Sequence, residues 1–130
     1  MIDLECDVFN AVYSDVFSLV PTGCFKSMYV PNPTKFPFAT LMEIDNYTDS
    51  RMRSSADIED YAIITYEANV YAMDKPGCRK VMDALDKALT RLGFTRLSMG
   101  TVPNLADAQL FRMTGKYRAE VKGKTIYRHS

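Results

Sequence analysis

The chain has 130 residues, 47% of them hydrophobic and 25% charged, with a formal net charge of zero. That length suits one domain over 1–130 with a real core. No apolar run approaches the roughly 20 residues needed to span a bilayer, and the acidic start (Asp3, Glu5, Asp7) is unlike a secretory signal, so a protein made in the cytoplasm is expected.

Residues 3–20 read as a helix. Leu4, Val8, Val12, Val16 and Leu19 draw one apolar stripe, and Phe9, Tyr13, Phe17 and Val20 widen it, so the helix is expected to pack on more than one surface. Asp3, Glu5 and Asp7 complement the helix dipole in the first turn; their spacing spreads them around the axis, away from a metal-binding geometry. Residues 21–37 form a loop with four prolines and the aromatics Phe25, Tyr29 and Phe36. Residues 38–46 read as a strand with Phe38, Thr40, Met42 and Ile44 on one face, and with Glu43 and Asp45 sharing the other. Residues 47–59 are polar and read as a flexible loop; Arg51, Met52 and Arg53 mark it as a docking element that orders on contact.

Residues 60–73 alternate as a long strand. Ala62, Ile64, Tyr66, Ala68, Val70 and Ala72 form its core face, opposite the mixed set Tyr61, Ile63, Thr65, Glu67, Asn69 and Tyr71. Asp74 caps a second helix, with Pro76 in its first turn, an apolar stripe through Cys78, Val81, Met82, Leu85, Leu89 and Leu92, and Gly93 as its stop. Asp83 and Lys87 make an i,i+4 pair. Strands follow at 94–102 and 108–122, with a turn at 104–107 between them and a short last segment at 123–130. In the second of these strands Phe111, Met113, Tyr117, Ala119 and Val121 face the core with Gly115, and Arg112, Thr114, Lys116, Arg118 and Glu120 face away. The order α-β-β-α-β-β implies an α+β fold: an antiparallel four- to five-stranded sheet with two helices packed on one face.

The residue inventory argues against an enzyme. The single histidine, His129, lies next to the last residue, and the six glycines are isolated, so no Ser–His or Cys–His pair and no phosphate loop is foreseen. The three cysteines (Cys6, Cys24, Cys78) are odd in number and far apart, which disfavours a disulfide framework or a zinc site. Glu43 and Asp45 could pair with Glu67 across strands, but ion pairing with Arg112 or Arg118 is the commoner outcome for such groups. No catalytic residue, cofactor or metal is expected. The basic stripe lacks aromatics on its own face, which argues against sequence-specific nucleic-acid binding.

Charge is distributed unevenly. Residues 1–60 hold ten acids and four bases, whereas residues 112–130 hold one acid and six bases. The two ends either neutralise each other within one molecule or meet on neighbouring copies. On the second reading Arg112, Lys116 and Arg118 would touch Asp45, Asp49, Asp57, Glu59 and Asp60 of an adjacent subunit.

Several stretches taken together resemble a phage family: FPFATLMEIDN (36–46), DIEDYAIITYEANVYA (57–72), ALDKALTRLGFTRL (84–97), PNLADAQLFRMTGKYRAEV (103–121) and TIYR (125–128). The most telling part is the strand with Tyr66-Glu67, Asn69 and Val70-Tyr71-Ala72, followed by a helix ending in Leu92-Gly93-Phe94. The pattern is similar to the tail terminator, or tail-completion, proteins of long-tailed bacteriophages. That resemblance implies a structural virion subunit, placed at the head-proximal end of the tail. It implies a hexameric ring that caps the tail tube, halts its polymerisation and joins it to a head-proximal connector or stopper protein, with DNA passing through the lumen. Another connector component, of the neck or stopper kind, or a small non-catalytic ligand-binding module are the alternatives.

Overall fold

A computed structural model describes residues 4–28, 35–47, 61–102, 110–122 and 125–126. The elements run α1 (Glu5–Val16), β1 (Phe25–Lys26), β2 (Phe38–Tyr47), β3 (Tyr61–Ala72), α2 (Lys75–Leu92), β4 (Thr95–Val102), β5 (Phe111–Lys122) and β6 (Thr125–Ile126). One sheet joins the strands in the order β1-β2-β3-β5-β4, with β6 paired to β5. The pairs β2–β3, β3–β5 and β4–β5 are antiparallel. The class is α+β, as the periodicities imply.

The sheet is mixed rather than purely antiparallel, because β1 runs parallel to β2. This strand lies inside the stretch 21–37 that reads as a loop. Cys24 N–H donates to the Pro21 carbonyl at 3.0 Å, and the Cys24 carbonyl then accepts from Ala39 N–H at 2.8 Å. Chain leaving α1 is thereby drawn along β2, burying Cys24 and Phe25. Two residues held by main-chain bonds carry no side-chain period for the sequence to reveal.

α1 is shorter than the 3–20 stripe suggests. It ends at Val16, and Leu19 N–H bonds to the Val16 carbonyl at 2.9 Å in the turn that follows. Pro21 has no N–H to bond the Phe17 carbonyl and its ring would crowd that carbonyl in a continued helix, so the regular helix gives way to a turn before it. Val8, Val12, Val16 and Val20 still reach the core.

α2 follows its sequence signals closely. Asp74 caps it, accepting from Gly77 N–H at 2.6 Å, and Gly93 closes it at φ 110°, in the left-handed region that favours glycine. Cys78, Val81, Met82, Leu85 and Leu89 are buried against the sheet. Large apolar side chains buried there, such as Leu85 and Leu89, each contribute about 1.5–3 kcal/mol. The i,i+4 pair Lys87–Asp83 forms at 3.0 Å. An ion pair between Arg91 and Asp15 ties α2 to α1.

β3 puts Ala62, Ile64, Tyr66, Ala68, Val70 and Ala72 into the core, as its alternation implies. β2 departs from simple alternation. Glu43 opposes Tyr66 while Asp45 opposes Thr65, so Ile44 is an extra residue at a bulge and is exposed. Glu43 therefore lies on the helix side and Asp45 on the other. The expected sharing of one face by these two carboxylates does not occur.

Candidate interaction surfaces

Strand register places the charged residues of the face turned away from the helices. One row across the sheet runs Met42, Glu67, Lys116, Ser98; the next runs Asp45, Thr65, Arg118, Thr95. Asp45 and Arg118 thus stand in one row with Thr65 between them, roughly 10 Å apart at two strand spacings. Asp45, Lys116 and Arg118 are all exposed.

Arg112 behaves differently from the other two bases of the stripe. Its Nη2 and Nε donate to Asn69 Oδ1 at 2.9 and 3.3 Å, and its guanidinium lies 5.4 Å from the centre of the Tyr71 ring. Asn69 in turn donates to Glu67 Oε1 at 2.9 Å. Asn69 and Tyr71 are buried on this outward face, beneath the guanidinium. The stripe therefore divides into a structural Arg112 and two solvent-facing cations, Lys116 and Arg118. Asp49, Asp57, Glu59 and Asp60, and the docking residues Arg51, Met52 and Arg53, lie outside the described residues, as does His129.

The helix side carries two further features, of which only the second is foreshadowed in the sequence, by the wide apolar stripe of α1. The first is an open groove of about 580 Å³ between α2 and the edge strand β4. One flank of α2 (Arg79, Met82, Asp83, Asp86) forms one wall, and Arg96, Met99 and Thr101 of β4 form the other, with Met113 between them. At one end of the groove, buried Tyr117 donates its hydroxyl to Asp86 Oδ1 at 2.7 Å, and Arg96 approaches the same oxygen at 3.3 Å. Burial foremost, and then the bond to Asp86, holds the Tyr117 hydroxyl well above the usual tyrosine range. Gly115 leaves room for this ring, since a Cβ there would stand 3.0 Å from it.

The second feature is a ridge on α1. Phe9, Tyr13 and Phe17 follow one another at four-residue spacing, with adjacent ring centres 6.2 Å apart. Phe9 and Tyr13 lean on Phe25 of β1, at 4.6 and 5.7 Å. Tyr13 remains 38% exposed and Phe17 57%. The broad stripe of this helix thus has one buried flank and one flank facing outward.

Among the described residues no three His, Cys, Asp or Glu side chains are grouped to hold a metal ion. Cys78 is buried, with its Sγ 3.3 Å from the Val70 carbonyl. Burial foremost, with a smaller push from Asp74 and a counteracting backbone bond at Met113, raises its thiol pKa, so it stays protonated and unreactive. Among the described residues no helix is long and apolar enough to cross a membrane.

No protein-family model matches the chain, and no curated protein does. Among solved structures, the chain is similar to one from the virion of a native gene transfer agent particle. The two superpose with a TM-score of 0.66 at 19% sequence identity, over 88% of this chain and 93% of that one. At that identity the likeness shows a shared fold, spanning nearly all of both chains.

Proposed function

We propose that the chain is a non-enzymatic structural subunit of a phage or phage-like virion, and specifically a tail terminator. Its copies close into a ring, hexameric by family resemblance, on the head-proximal end of the tail tube. One side of the ring meets the tail tube protein and the other a connector or stopper protein, and DNA passes through the lumen without sequence-specific contacts. The observation that carries this reading is the fold shared along nearly the full length with a virion chain. It is supported by surfaces suited to contact on both sides of the sheet and by the order of strand and helix patterns between residues 36 and 128.

A ligand-binding module is the competing reading, and the groove beside α2 is the observation that favours it. The two separate cleanly in an elongation assay. Purified chain added to polymerising tail tube protein should stop growth and fix tube length. Tubes that lengthen equally with and without it would count against a terminator.

A further inference from the structure

The ridge on α1 and the groove beside α2 lie at opposite ends of the helical layer. α1 sits at the β1 end of the sheet, where Phe9 packs on Phe25. The groove lies over β4, the last strand at the other end. Around α1, Val16 points to the core and Asp15 reaches Arg91 of α2. Successive residues are turned by about 100° on a helix, so Phe17, on the other side of Val16, faces away from α2. The ridge therefore looks outward from one end of the subunit and the groove opens at the other.

We propose that these two surfaces are the two halves of one contact between copies of this chain, with the α1 ridge of each copy seated in the groove between α2 and β4 of the next. The occupant fits in length. Phe9 to Phe17 spans about 12 Å along α1, and Arg79 to Asp86 spans about 10 Å along α2, at roughly 1.5 Å per residue. It also fits in chemistry. Met82, Met99 and Met113 give the groove an adaptable, polarizable lining that suits aromatic rings. Charge complements the fit. α1 carries Glu5 and Asp7 in its first turn and no base, and its third acid, Asp15, is already paired with Arg91. In the groove Asp83 is paired with Lys87 and Asp86 with Arg96, which leaves Arg79 as a cation without an ion pair among the described residues. A ridge meeting a groove is a head-to-tail contact, which closes into a ring when the rotation between copies allows.

This inference rests on the ring reading above, and its test separates the two. In a Cys6→Ser background, Phe17→Cys and Met99→Cys are placed together in one chain and, as controls, singly. Oxidation of the double variant should give a covalent ladder ending at the closed ring, and neither single variant should cross-link. Phe17→Asp, at an exposed site, should leave folding intact by circular dichroism. It should raise the concentration for half-assembly roughly tenfold or more, as loss of a central aromatic anchor does. Rings seen by electron microscopy with no ladder, or dimers from Phe17→Cys alone, overturn this contact and leave the ring standing. A chain that stays monomeric at high concentration and on tail tubes overturns both.

Discussion

Replacing Tyr117 by Phe tests whether the seam between α2 and β5 is held by the bond to Asp86. The hydroxyl is buried and donates to a carboxylate at 2.7 Å, a charge-assisted bond of the kind that contributes about 1.5–3 kcal/mol. Asp86 keeps 23% of its side-chain surface exposed, so water can replace part of the lost donor. The loss for Tyr117→Phe should therefore fall near the low end, about 1.5 kcal/mol. Asp86→Ala should cost about 2 kcal/mol, because it leaves the Tyr117 hydroxyl buried without its acceptor. The exposed Arg96 pair adds little to that figure. The double variant should lose no more than about 2 kcal/mol, giving a coupling near 1.5 kcal/mol in a double-mutant cycle. Urea denaturation followed by circular dichroism measures all three. Single effects that simply add would refute the bond. The pH dependence has a defined sign. Burial raises the folded-state pKa of Tyr117 above the ordinary value of 10.0, so its contribution is complete below that pH and falls as pH rises above it. The stability gap between the native chain and Tyr117→Phe should narrow above about pH 10; a gap that stays constant to higher pH would contradict the buried, raised hydroxyl.

Lys116→Glu with Arg118→Glu should change folding stability by less than about 0.5 kcal/mol, since both side chains are exposed, yet impair assembly at low salt. Normal low-salt assembly of that variant would place these cations toward solvent or the lumen. Arg112→Ala should cost about 1–2 kcal/mol in denaturant titrations, because it uncovers the buried Asn69 amide oxygen; a neutral result would show the bond carries no stability. Cys6→Ser should be neutral and Cys78→Ala should cost about 1 kcal/mol through a small cavity. One equivalent of bound zinc, or a disulfide in the particle, would contradict the reading of these cysteines as free thiols.

Features governed by local pattern were legible in the sequence. The alternation of β3 fixed its core face, and Asp74 and Gly93 marked the ends of α2, because capping and periodicity depend on residues a few positions apart. Features that depend on register were not. The bulge at Ile44 moves Asp45 to the opposite face without leaving a compositional trace. The bond between Arg112 and Asn69 needs β5 to lie beside β3, and the sequence order alone leaves β4 equally eligible for that place. The groove was hidden for a similar reason. Its walls come from α2 and β4, and the space between them exists only once α2 has been seated over β3 and β5. The one available signal was in β4, whose residues from Thr95 to Val102 show no clean apolar alternation, as suits an edge strand with an open flank.

Electron microscopy of tails assembled with a chain carrying a C-terminal density label locates the subunit on the tail and so tests the terminator role. A closed ring of this chain, one per tail and confined to the head-proximal tip of the tube, is the expected result. Label scattered along the tube, or absent from tails that are otherwise complete, would contradict it.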